Sequence, residues 1–123
     1  MPVDDVDDDL DALVDTWLDL DDVAQRLGTD VGRVRRLLQD RYLVGLRRGA
    51  GRGVLVPAPL LDGAQPLPDL RGTLTLLADA GYTDVEALRW LFTPDDSLPG
   101  TPVEALRTGR RAEVRRRAQA LGF

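Results

Sequence analysis

Four side chains within seven residues, Arg33, Arg35, Arg36 and Gln39, are of the types that read nucleic-acid bases. Arginine meets a guanine edge, and glutamine an adenine edge, through paired hydrogen bonds in the major groove. Farther along, Arg47, Arg48 and Arg52 surround Gly49, Gly51 and Gly53. A glycine-rich turn tipped with guanidinium groups suits phosphates or the edge of a minor groove. For the two sets to act together, one element must aim the first outward and another must hold the second beside it.

The net charge of −5 over 123 residues argues against a polyanionic partner, but it describes no part of the chain. Residues 1–22 carry ten Asp and no Arg, and residues 23–52 carry eight Arg against two Asp. Residues 53–106 return to acid, with eight carboxylates against two Arg, and residues 107–123 hold six Arg against one Glu. The cationic excess thus falls on the segment that holds the candidate base readers. If about five of these arginines neutralise phosphates, log K should fall with log salt at a slope of roughly −4 to −5.

The missing residue types narrow the chemistry further. There is no Cys, His or Lys. No disulfide, thiolate or imidazole metal site, Schiff-base lysine or phosphate loop with its lysine can form. Ser97 is the only serine and has no histidine to activate it. A non-enzyme is expected, with no cofactor and no metal. No apolar run approaches the roughly 20 residues that cross a bilayer, and the start of the chain is acidic rather than basic. No membrane partner is expected, and the expected compartment is the cytoplasm, at the nucleoid.

The elements that would position the arginines follow from caps and periodicity. Residues 1–16 read as an acidic, partly disordered arm, with a helix suggested by the spacing of Leu10, Leu13 and Val14. Trp17 and Leu18 read as a short extended lead-in. Asp19, followed by Asp22, resembles a capping box ahead of Leu20, Val23, Ala24 and Leu27, and Gly28 closes that helix. Asp30 caps a second helix whose Val31, Val34, Leu37 and Leu38 share one face. Opposite that stripe stands Arg36, flanked by Gly32, Gln39, Arg33 and Asp40, while Arg35 sits at its margin and suits a phosphate better than a base. Tyr42–Leu46 and Gly53–Val56 then read as two strands around the arginine turn. Helix, turn, helix and hairpin in this order make a winged helix-turn-helix over residues 17–58.

Residues 59–69 read as a Pro-rich connector with one helical turn at Leu60 and Leu61, and residues 70–123 as a helical domain. There Leu70, Leu74, Leu77 and Ala78 form one amphipathic face. Thr83 with Glu86 and Thr101-Pro102 with Glu104 are helix starts, and Val114, Ala118 and Leu121 line a last helix. The fold class expected is mainly α with a small β-hairpin wing. The Arg110, Arg111, Arg115, Arg116 and Arg117 cluster reads either as a solvated helix end suited to the helix dipole or as a second phosphate or partner contact.

The string Trp17-Leu18-Asp19-Leu20-Asp21-Asp22-Val23-Ala24-Gln25-Arg26-Leu27-Gly28 resembles the opening of excisionase-like and MerR-like winged helices. From about Trp17 to Phe123, the chain resembles an actinobacterial family of small winged-helix DNA-binding proteins with a C-terminal helical domain. Gly81-Tyr82, Leu88-Arg89-Trp90-Leu91-Phe92-Thr93-Pro94-Asp95-Asp96-Ser97-Leu98 and Glu113-Val114-Arg115-Arg116-Arg117-Ala118-Gln119-Ala120 carry that resemblance. It implies a transcriptional regulator or nucleoid-associated factor. By position, it assigns contact with double-stranded DNA to Arg33, Arg35, Arg36, Gln39, Arg47, Arg48 and Arg52. A fainter likeness of Thr93–Leu98 and Thr101–Leu106 to the toxin-binding domain of Xre-type antitoxins implies an alternative. In it, residues 70–123 serve a protein-interaction adaptor or antitoxin. Either way, a second copy or another protein is the partner expected for residues 70–123.

Overall fold

The computed structural model describes residues 8–47 and 53–122. Helix α1 (Asp8–Leu13) opens them, and the spacing of its apolar residues has a clear use. Leu10 is 0% exposed and Val14, just past the helix, is 2% exposed. The acidic stretch is thus anchored by an apolar face, and Met1–Asp7 lie outside the described residues. The lead-in is a strand, β1 (Trp17–Asp19), and the Trp17 indole N–H donates to Asp11 Oδ1 at 3.1 Å.

Asp19 closes β1 and caps α2 (Leu20–Leu27), its carboxylate accepting the Asp22 N–H at 2.8 Å. Gly28, at φ 68°, ends α2 in the left-handed region, which glycine enters without a Cβ penalty. Asp30 repeats the capping for α3 (Val31–Gln39), accepting the Arg33 N–H at 2.8 Å. Val23, Ala24, Val34 and Leu37 are the buried side of the two helices. The helix-turn-helix is therefore formed as its caps require.

Beyond α3 the expected strand over Tyr42–Leu46 is much shorter. Arg41 adopts φ 67°, and the N–H groups of Tyr42 and Leu43 return to the Leu37 carbonyl at 2.9 and 3.3 Å. Those donors finish the helix and are not free to join a ladder. Pairing begins only at β2 (Leu46–Arg47), against β3 (Val54–Pro57). The sheet has the order β1-β3-β2, all antiparallel, with Leu18 opposite Val56 and Leu46 opposite Leu55. Gly45 lies tight against β3. A Cβ there would come within 2.5 Å of Val54 Cγ1 and 2.8 Å of the Leu55 carbonyl oxygen.

The Pro-rich stretch holds more structure than one helical turn. A 3-10 turn (Ala58–Leu60) leads into a second hairpin, β4 (Leu61–Asp62) with β5 (Gln65–Pro66). Leu60, Leu61 and Leu67 are buried in the same apolar cluster as the winged half. That cluster runs from Leu10 to Ala118.

Four helices complete the chain: α4 (Leu70–Asp79), α5 (Asp84–Phe92), α6 (Pro102–Arg107) and α7 (Arg111–Ala120). Both threonine capping boxes are closed in each direction, at Thr83 with Glu86 and at Thr101 with Glu104. On α4 the core position expected of Ala78 is exposed, and Thr73 is buried instead. Its hydroxyl donates to the Asp69 carbonyl at 3.0 Å, so a polar side chain enters the core with its hydrogen bond made. Among the described residues, no helix is long and apolar enough to cross a membrane.

Candidate nucleic-acid interface

Helix α3 exposes Gly32, Arg33, Arg35, Arg36 and Gln39, with Asp40 exposed at its C-terminal cap, and buries Val34 and Leu37. The apolar stripe that seats α3 on the core therefore forces the three arginines and the glutamine into solvent. Arg47 is exposed at the base of the wing, opposite Val54. Arg48 and Arg52 lie outside the described residues.

Arg35 and Arg47 are brought together. They line one groove of about 490 Å³ between α3 and the wing, whose other walls include Asp19, Asp21 and Gly53. Arg33, Arg36 and Gln39 are not in that groove. Arg33 lines a separate cleft on the opposite flank of α3, with Thr29, Leu37 and Gln65. The face thus has a centre at Arg36 and Gln39, and two flanks at Arg35 and Arg33.

The described arginines differ in what their guanidinium groups touch. Arg41 Nη1 binds Asp84 Oδ1 at 2.7 Å. Arg71 Nε donates to the Asp40 carbonyl at 2.8 Å and its guanidinium lies over the Tyr42 ring, 5.0 Å from the centroid. Arg107 donates to the carbonyls of Pro59 and Leu61 at 3.0 and 2.7 Å. Four of the five arginines of the terminal cluster are engaged as well. Arg111 and Arg115 reach Asp69 at 3.5 and 3.7 Å, and Arg110 reaches Glu113 at 3.6 Å. Arg117 donates to Ser97 Oγ at 2.6 Å and to the carbonyls of Ser97 and Glu113.

The side chains of Arg33, Arg35, Arg36 and Arg47 make no hydrogen bond or ion pair among the described residues, although Asp19 and Asp21 stand in the groove with two of them. Arg26 and Arg116 share that state. Arg26, exposed in the last turn of α2, is a cation that the sequence placed in the basic segment without singling it out. Thr29 and Gln65 beside Arg33 have no local sequence signal; only the return of the chain as β4–β5 puts Gln65 there. Guanidinium groups held out in this way keep all their donors for another molecule's acceptors.

The comparisons with known proteins agree with this architecture. A family model described as "DNA-binding protein Rv2175c, wHTH domain" matches residues 2–61, and one described as "Rv2175c C-terminal domain of unknown function" matches residues 67–122. The chain is 41% identical over 118 aligned residues to "DNA-binding protein Rv2175c" of Mycobacterium tuberculosis strain H37Rv, spanning 85% of this chain and 80% of that protein. A solved structure titled "NMR structure of Rv2175c" superposes with a TM-score of 0.77 at 39% identity, covering 88% of this chain and 82% of that one. With both halves matched and the fold shared, this chain belongs to the Rv2175c family of winged helix-turn-helix proteins with a C-terminal helical domain.

Proposed function

We propose that this chain binds double-stranded DNA, with α3 in the major groove and the wing on the backbone, as a transcriptional regulator or nucleoid-associated factor of the cytoplasm. The observation that carries this is that Arg33, Arg35, Arg36 and Arg47, gathered around α3 and the wing, make no hydrogen bond or ion pair among the described residues, while seven other arginines are held by the protein's own acceptors and Arg116 is the one cation of the terminal cluster without such a contact there. Arg36 and Gln39, at the centre of the exposed side, are the base readers. Arg35 and Arg47, facing each other across the groove, are phosphate ligands, and Arg48 and Arg52 add charge to the wing. Arg33 serves the other flank. The family's name for its relative supports the same partner.

Binding rather than catalysis is the action that membership of a family named for DNA binding supports. One winged helix reads few base pairs, so residues 70–123 serve as the place where a second copy adds its own half-site.

Fluorescence anisotropy with a duplex at several salt concentrations tests the function. A slope of log K on log salt near −4 to −5 is expected. Arg36→Ala with Arg48→Ala should abolish binding at moderate salt. Wild-type affinity in that double variant would show that the surfaces are wrongly assigned.

A further inference from the structure

Two hairpins flank the exposed side of α3, one on each edge. The wing shares a groove with Arg35 through Arg47 and Val54. On the other edge, Ala64 and Gln65 of the β4–β5 hairpin share a cleft with Thr29, Arg33 and Leu37. The sequence offered this stretch as a connector, yet its turn stands beside the arginine at the start of α3.

A helix is about 10–12 Å across and a major groove is about 12 Å wide. When the one fills the other, the two sugar-phosphate backbones run along the two flanks of the helix. The wing accounts for one backbone. The other must pass the Arg33 flank, where β4–β5 stands. That cleft has the groups such a backbone needs: the Arg33 guanidinium, the Gln65 carboxamide and the Thr29 hydroxyl, none of them hydrogen-bonded within the protein among the described residues. Asp62, the one acid of the hairpin, does not line the cleft. Gly63 and Ala64, both exposed, form a turn without bulk that lets a phosphate come close.

We infer that β4–β5 is a second wing, which holds the phosphate backbone on the side of α3 opposite the first. Gln65 and the turn at Gly63-Ala64 then form a clamp with Arg33. This rests on the DNA binding proposed above and adds to it a contact outside the helix-turn-helix and its wing.

The test is charge placed at the turn of the full-length chain, with a 20-base-pair random-sequence duplex as the probe. Ala64→Arg should raise affinity severalfold at low salt and steepen the salt slope by about 0.9, the value of one added phosphate contact. Ala64→Glu should lower affinity severalfold, and Gln65→Ala should weaken binding without changing the slope. Opposite effects of two substitutions at one exposed position cannot both come from misfolding. A matched Ala78→Arg, on the exposed side of α4, should have no effect. If both Ala64 variants bind like the parent while Arg36→Ala is impaired, the second wing is wrong and the role of α3 stands. If Ala78→Arg gains as much as Ala64→Arg, only general charge is at work and the second wing is again wrong. If the parent itself does not bind the duplex, the DNA-binding function falls, and the second wing with it.

Discussion

Arg41 and Asp84 join the end of α3 to the start of α5: Arg41 Nη1 lies 2.7 Å from Asp84 Oδ1, with side chains 36% and 31% exposed. Arg41 is the residue that leaves α3 in a left-handed conformation, and Asp84 is the first residue of α5, next to its cap at Thr83. One residue earlier, the Asp40 carbonyl accepts from Arg71 of α4. The exit of the reading helix is thus held from two helices of the C-terminal half.

Breaking the Arg41–Asp84 pair should cost little in stability and more in precision. A half-exposed pair contributes roughly 0.2–1 kcal/mol. Asp84→Asn should therefore shift a urea midpoint only slightly. Amide hydrogen exchange at Tyr42 and Leu43, whose N–H groups close the helix, should accelerate. A double-mutant cycle with Arg41→Gln gives the coupling, and a value above about 2 kcal/mol would contradict the half-exposed geometry.

Gly45→Ala should be among the most damaging small changes to the wing. The added methyl meets Val54 Cγ1 at 2.5 Å and the Leu55 carbonyl at 2.8 Å, and a backbone oxygen cannot step aside as a side-chain end can. Overpacking of this kind costs about 1–3 kcal/mol. Thermal unfolding measures it. An unchanged midpoint would mean that the chain at Gly45 does not lie so close against β3.

The acidic N-terminal stretch has to be divided before its electrostatic role is tested. Deleting residues 1–15 would remove Leu10 and Val14 from the core, and truncating one buried leucine alone costs about 2–5 kcal/mol. Deleting residues 2–7 removes three Asp and spares that anchor. If the arm competes with DNA for the cationic face, the short deletion should tighten binding most at low salt, where charges are least screened. Equal affinity at all salt concentrations would leave the arm without that role.

Asp95 gives a pH-dependent marker of the loop between α5 and α6. The Ser97 hydroxyl and N–H both donate to its carboxylate, and Arg117 stands nearby, so its pKa lies below the usual aspartate value. A carboxyl lowered on folding adds stability above its unfolded pKa and loses that contribution as pH falls through the folded value. The loop should therefore loosen only on the acid side of the ordinary carboxylate range. Carboxyl carbon NMR reads the titration directly, and an Asp95 that titrates at or above the usual value would sink the prediction.

Local chemistry made the helices legible. Asp19, Asp30, Thr83 and Thr101 each announce a helix through the N–H that the side chain accepts, and all four caps are formed. The outward set of Arg33, Arg36 and Gln39 followed from the apolar stripe alone, and Arg35, placed at the margin of that stripe, is exposed with them. What escaped the sequence was set by partners distant in the chain. Tyr42–Leu46 has the composition of a strand, but the Leu37 carbonyl claims its first donors, and no glycine at Arg41 marked the turn. Residues 61–66 form strands of two residues each, too short to show alternation, and it is the burial of Leu60, Leu61 and Leu67 that holds them. Arg111, Arg115 and Arg117 fell to distant acceptors, Asp69 dozens of residues upstream for the first two and Ser97 twenty upstream for the third.

Because the buried cluster runs unbroken from Leu10 to Ala118, the winged half is not a detachable cassette. A chimera that borrowed only residues 17–58 would leave Leu60, Leu67 and the anchoring helix α1 behind, and would carry bare apolar surface into its new host. Anyone wishing to reuse this reading head must transplant it with its helices, as a single exchangeable part.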